Sequence, residues 1–197
     1  MIMLERFRPL LKKILEPLAK RTKINPNIIT CITPLIAIVS AVFFGTGNLL
    51  MGGLFILFNG IFDVLDGSIA RYHNETSKFG AFLDSTMDRF SDAIIIIGLI
   101  WGGYATWFIG VLAIHSVYTV SYVRASAESK NIACNVGIAE RATRLIILIL
   151  GAFIAIILNN AMYMNGAIIL MVILSYITVF QRIYHIWKLT DLEIKKL

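Results

Sequence analysis

Charge is scarce in this chain. Only 15% of its 197 residues are Asp, Glu, Lys or Arg, against roughly 25% in soluble domains. Hydrophobic residues make up 58%, and the mean hydropathy is +0.79. That balance excludes an ordinary soluble domain and reads as a membrane protein. Cysteine is nearly missing too. Cys31 and Cys134 are too few for a disulfide framework, and their spacing fits no zinc motif. Cys31 reads as a small residue near the start of a span, and Cys134 as a loop thiol on a reducing side. His73, His115 and His185 form no zinc constellation either. His115 reads as a packed or hydrogen-bonded core residue within a span, and the other two as interfacial. A cleavable leader is not expected, because Arg6, Arg8, Lys12, Lys13 and Glu16 interrupt the first apolar stretch. No repeat or low-complexity segment stands out.

What is abundant is apolar sequence. Residues 31–62, 93–123 and 145–181 contain no Asp, Glu, Lys or Arg. Each stretch exceeds the ~20 residues that one helix needs to cross a bilayer. Each also has turn formers near its centre: Gly45, Gly47, Asn48, Gly52 and Gly53; Gly98, Gly102 and Gly103; Asn159, Asn160, Asn165 and Gly166. The pattern predicts three helical hairpins, hence an all-α polytopic membrane protein with six transmembrane helices. The spans are expected near 27–46, 49–71, 78–100, 104–126, 138–159 and 163–187. All 18 Lys and Arg, and all 12 Asp and Glu, fall on the side opposite the hairpin turns. The positive-inside rule then puts both termini and every charged cluster in the cytoplasm. A net charge of +6 does not imply nucleic acid here, because the basic residues are scattered over loops between apolar stretches. Residues 1–23 form a separate unit, with 24–197 as the transmembrane domain. Met3, Leu4, Phe7, Leu10, Leu11, Ile14, Leu15 and Leu18 recur at helical spacing, and Arg8, Lys12, Lys13, Glu16 and Lys20 lie largely elsewhere on the wheel. That predicts an amphipathic helix on the anionic inner leaflet.

Four aspartates stand out against this background. Asp63, Asp66, Gly67 and Ala70 fall at i, i+3, i+4 and i+7 of one predicted helix, which is one face. Gly80, Asp84 and Asp88 fall at i, i+4 and i+8 of the next. The polar segment 72–77 breaks the two helices, so antiparallel neighbours can present two carboxylates each to one cleft. Ionisable groups at membrane depth are costly and mark functional sites. Carboxylates this dense need a counter-charge, and a hard divalent cation, Mg²⁺ or Mn²⁺, with substrate phosphates suits them. Gly67, Ala70 and Gly80 keep the same faces free of bulk, so a phosphate or nucleotide can approach the backbone. Arg71 offers a planar donor to a phosphate oxygen. Metal, phosphate and small residues together read as a diphosphate–metal site.

The run Asp63-x2-Asp66-Gly67-x2-Ala70-Arg71-x8-Gly80-x3-Asp84-x3-Asp88 resembles the signature of the CDP-alcohol phosphotransferases. The resemblance extends over the chain, since that family has six spans, a cytoplasmic site and a surface helix at the N-terminus. It implies transfer of a phosphatidyl-type group from a CDP-linked lipid to an alcohol, with release of CMP. Carried over by motif position, it implies that Asp63, Asp66 and Asp84 bind two divalent ions against the diphosphate. Asp88 would lie near the metals and act as general base on the acceptor hydroxyl. Asp66, Gly67, Ala70, Arg71 and Gly80 would line the CDP pocket. Asn27 and Thr30, in Pro26-Asn27-Ile28-Ile29-Thr30, resemble a further family feature near the nucleotide phosphates. The family commonly forms homodimers, so one is expected.

Further arginines fall at the cytoplasmic ends of later spans. Ser121 and Arg124 end the fourth, Arg141 and Arg144 open the fifth, and Arg182 lies toward the end of the sixth. Such a set suits an anionic acceptor, most simply a phosphate monoester. The surrounding phrases SYVRASAES and GIAERATRL look like the branch that makes phosphatidylinositol phosphate or archaetidylinositol phosphate. That branch often carries a second basic residue where this chain has Ser126. The acceptor implied is inositol phosphate, with glycerol phosphate as the nearest alternative. A divalent-cation transporter is the competing class, but the outer halves of the predicted spans carry no acid that could line a pathway.

Overall fold

In a computed structural model, residues 17, 20, 22 and 24–194 are described. They form six helices: α1 (Pro26–Gly45), α2 (Leu49–Tyr72), α3 (Lys78–Trp101), α4 (Trp107–Glu128), α5 (Arg141–Ile157) and α6 (Met162–Ile194). The all-α expectation holds among the described residues. The helix starts agree with the sequence to within a few residues, while α6 runs past its expected end at 187. The surface helix expected over 1–23 lies, but for three isolated positions, outside the described residues.

Short polar side chains set the helix starts. Asn25, Asn48, Ser77 and Thr106 each accept a hydrogen bond from a backbone N–H of the first turn. Pro26 follows Asn25 as the first helical residue, where its missing N–H costs nothing. The first hairpin turns at Gly47, whose φ of 84° suits a residue without a Cβ. Pro34 lies inside α1 and cannot donate to the Thr30 carbonyl. The Thr33 hydroxyl donates to that carbonyl instead, at 2.8 Å.

Four helices, α1, α2, α4 and α6, are long and apolar enough to cross a membrane. The other two fall short for different reasons. Lys78, Asp84, Asp88, Arg89 and Asp92 crowd the part of α3 from its start to residue 92, and α5 has only 17 residues. The outer surface is apolar: Leu35, Trp107 and Phe180 are 59%, 73% and 69% exposed. So many exposed large apolar side chains suit lipid and not water.

Inside, α1 packs against both α2 and α3, α2 against α5, and α6 against α4 and α5. The main core gathers Phe44, Ile56, Ile96, Leu99, Leu148, Met164 and Ile168. A smaller cluster of Ile29, Leu65 and Ile69 locks α1 to α2 near the aspartates. The α1–α3 crossing is tight at Gly98, where a Cβ would lie 2.3 Å from Ala41 Cα. Backbone cannot yield as a side chain can, so Gly98→Ala is expected to destabilise the bundle by about 1–3 kcal/mol. A lower midpoint of thermal unfolding in detergent micelles would show it. The remaining histidines and cysteines are minor parts of this packing. His115 Nδ1 pairs with the Tyr176 hydroxyl at 2.9 Å, but on an exposed face and not in the core. Cys31 is exposed, and Cys134 is buried in the loop before α5.

Candidate active site

The two acidic faces expected from helical spacing do meet. Asp63 on α2 and Asp84 and Asp88 on α3 bring carboxylate oxygens within 4.8 Å of one another. All three are half-buried. At an effective dielectric of about 20, two full charges at that separation repel by about 3 kcal/mol. Three such oxygens could hold a metal ion. Their donor set is all hard oxygen, which fits Mg²⁺ or Mn²⁺ and not a softer ion.

Asp66 stands slightly apart and is buried. The Thr30 hydroxyl of α1 donates to its Oδ2 at 2.6 Å. This contact brings the start of the first helix into the site. Asn27 joins as well: a Cβ on Gly80 would lie 3.2 Å from Asn27 Oδ1. A side chain there would push Asn27 and Ser77 back by a few tenths of an ångström. Gly67 has a similar relation to Arg71, whose Nη1 would lie 3.2 Å from a Cβ there. Arg71 is exposed and Ala70 half-buried, one turn from the carboxylates. The CDP-side residues expected from the sequence therefore lie on the starts of α1 and α3 and the end of α2, where Thr30 meets Asp66 and Asn27 approaches Gly80.

The arginines sort differently from the sequence expectation. Arg141, at the first position of α5, enters the carboxylate cluster. Its Nη1 lies 2.8 Å from both Asp63 Oδ1 and Asp88 Oδ1. These contacts are ionic and not aligned hydrogen bonds. Its Nη2 donates to Asn59 Oδ1 at 3.0 Å, and its Nε lies 3.4 Å from Asp92 Oδ1. Arg144 is buried behind it, donating to Asp92 Oδ2 at 2.9 Å and to the Ala139 carbonyl at 3.0 Å. Arg182 is buried too, but it donates to the backbone carbonyls of Val136 and Val120. It ties the 129–140 loop to α4. Arg124 is exposed and pairs with Glu128 on its own helix at 2.7 Å. Ser121 is half-buried on the same helix. So the contacts from these arginines to the aspartates all come from α5. Where the sequence lacks a basic residue at Ser126, Lys130 Nζ lies 3.3 Å from the Ser126 hydroxyl, which restores positive charge nearby.

Two participants were not singled out from the sequence, Asn59 and Asp92. Both are buried. The signal was present: Asn59 precedes Asp63 by four residues, and Asp92 follows Asp88 by four. Each extends an acidic face by one turn.

The chain matches the family described as CDP-alcohol phosphatidyltransferase over residues 23–182. It is 43% identical over 186 residues to the archaetidylinositol phosphate synthase of Methanothermobacter thermautotrophicus, covering 94% of this chain and 95% of that protein. Its fold is similar to the phosphatidylinositol phosphate synthase of Mycobacterium tuberculosis solved with CDP-DAG bound. There the TM-score is 0.79 at 28% identity, over 89% of this chain and 94% of the other. The same mycobacterial enzyme solved with manganese and citrate gives a TM-score of 0.75 at 27% identity, over 87% and 88% of the two chains.

Proposed function

We propose, from the premise that this chain belongs to the CDP-alcohol phosphatidyltransferase family, that it transfers a lipid phosphate group from a CDP-linked lipid to inositol phosphate. As a member of that family it is a metal-dependent phosphotransferase of phospholipid synthesis and an integral membrane protein. The observation that carries the acceptor reading is the contact between Arg141 and Asp88, at 2.8 Å. A guanidinium that can bind a phosphate monoester lies beside the carboxylate that would take the hydroxyl proton.

Asp63, Asp66 and Asp84, with Asp88, would hold two divalent ions, Mg²⁺ or Mn²⁺. When bound, such ions neutralise the diphosphate and the departing CMP. The chain's own residues do the rest. Thr30 orients Asp66 through its hydroxyl. Asn27, Gly67, Ala70, Arg71 and Gly80 admit and fix the CDP group. Arg141, with Ser121, Arg124, Arg144 and Arg182 around the acceptor side, favours a phosphorylated alcohol over a neutral one. Of these, Arg144 and Arg182 act chiefly by shaping that wall, given their buried partners. Asp88 accepts the proton of the acceptor hydroxyl as its oxygen attacks the lipid-bearing phosphorus. The bond to the CMP oxygen breaks, and CMP leaves with the electron pair. The lipid keeps its phosphate, now as a diester to the acceptor.

The 43% identity to an archaetidylinositol phosphate synthase favours an archaeol lipid over diacylglycerol. All six helices span the bilayer in this reading. The charge on α3 then sits at the cytoplasmic edge, and the shortness of α5 is met by its flanking residues. Both termini and the site face the cytoplasm, residues 1–23 lie on the membrane surface, and the enzyme works as a homodimer.

The test is CMP release from the protein in lipid, with CDP-archaeol or CDP-diacylglycerol and Mg²⁺ or Mn²⁺. Inositol phosphate is expected to support release, and free inositol or serine is not. Release with glycerol phosphate alone would replace the acceptor. Release with serine alone would overturn the basic pocket, and no release with any acceptor would overturn the enzyme.

A further inference from the structure

We propose that Asp92, together with Asn59, is a positioning residue that holds Arg141 at the junction of acceptor phosphate and carboxylates. The proposal rests on the acceptor reading above and adds a residue that the family motif does not contain. Asn59 and Asp92 occupy antiparallel helices, one turn beyond Asp63 and Asp88. Both therefore lie about 6 Å deeper in the bundle than the carboxylates of the motif. They form a second polar tier beneath the first.

Each member of this tier is pinned from behind. Asn59 is fully buried, and its Nδ2 donates to the Thr33 carbonyl at 2.6 Å. That bond fixes which way its amide points, so Oδ1 faces Arg141 Nη2. Asp92 is 6% exposed. Its Oδ2 is held by Arg144, leaving Oδ1 for Arg141 Nε. Arg144 is in turn anchored on the Ala139 carbonyl, in the residues that lead into α5. The guanidinium of Arg141 is thus gripped from below on two of its three nitrogens. Only Nη1 reaches up, to Asp63 and Asp88.

The chemistry explains why such a grip is needed. An arginine beside three carboxylates is pulled toward whichever is most negative. If it followed that pull, it would compete with the divalent cation and leave the acceptor phosphate without a partner. A buried carboxylate and a buried amide beneath it offset part of the pull and set one position. Displacement of a binding group by about 1 Å can cost up to a hundredfold in rate.

Removing Asp92 alone also strands Arg144, and that could unfold the chain. The informative variant is therefore D92N/R144Q, in which the buried pair is neutralised together, compared with R144Q. If Asp92 only neutralises Arg144, the two variants share one KM for the acceptor. If it positions Arg141, D92N/R144Q is expected to raise the KM for inositol phosphate about tenfold over R144Q, with the KM for the CDP-lipid changed less than about twofold. Equal KM values, or equal changes for both substrates, would overturn the proposal. Should the wild type use glycerol phosphate, the acceptor reading fails, and the same comparison is made with that acceptor.

A second readout needs no turnover. Mn²⁺ affinity, read by electron paramagnetic resonance, is expected to fall about fivefold in D92N/R144Q relative to R144Q. In a further R141Q background the same change should cost less than about twofold, since the effect runs through Arg141. Additive changes would show that Asp92 acts on the metal without Arg141, against the proposal.

Discussion

Asp88→Asn is expected to lower kcat about a thousandfold while the CDP-lipid still binds. Asn matches Asp in shape but cannot take a proton, and general-base removal costs about 10²–10⁴-fold. That role is the one proposed for Asp88 above. Asp88 is half-buried, its Oδ1 lies 2.8 Å from Arg141 Nη1, and Arg89 Nη1 lies 3.9 Å from its other oxygen. The variant also removes one negative charge from the cation site, so metal affinity falls. The two losses separate on titration. Added Mn²⁺ should restore the part due to metal and leave the part due to the base. Steady-state CMP release across Mn²⁺ concentrations, with CDP-lipid binding by calorimetry, makes the comparison. Near-normal turnover, or full rescue by Mn²⁺, would remove the general-base role from Asp88.

Arg141→Gln should produce two effects of opposite sign. The KM for the phosphorylated acceptor is expected to rise about a hundredfold, because hydrogen bonds to charged groups contribute about 1.5–3 kcal/mol each. Mn²⁺ should bind more tightly, by about tenfold, because Asp63 and Asp88 lose a cation 2.8 Å away. Opposed changes mark a group shared by the acceptor and the carboxylates. If both affinities fall together, Arg141 merely holds the fold, and the acceptor pocket lies elsewhere.

The helical architecture was readable because the bilayer forces charge into a few places. Three uncharged stretches with Gly or Asn at their centres left little choice but hairpins, while the caps at Asn25, Asn48, Ser77 and Thr106 emerge only from the structure. The acidic pair of faces was readable for a similar reason: Asp63 and Asp66, and Asp84 and Asp88, obey helical spacing, and spacing is local. What was not legible is the choice of partner across helices. Arg124, Arg141, Arg144 and Arg182 look alike in sequence, each near an end of an expected span on the charged side. Their different fates depend on what α2, α3 and the 129–140 loop place opposite them. Asp92 could have been found, since it continues the row of Asp84 and Asp88. The apolar run that follows Asp92 gives it the look of a span edge. Asn59 lies within an uncharged stretch, and only its contacts reveal it.

The central claim is that an intact phosphorylated alcohol is joined to the lipid phosphate at this site. It is tested most directly by supplying inositol phosphate labelled with ³²P, together with unlabelled CDP-lipid, to the protein in lipid vesicles. The label should pass into the organic phase, with one CMP released for each labelled lipid, and EDTA should stop both. CMP released while the label stays in the aqueous phase would contradict the account, because the CDP-lipid would then be hydrolysed or its lipid given to another acceptor.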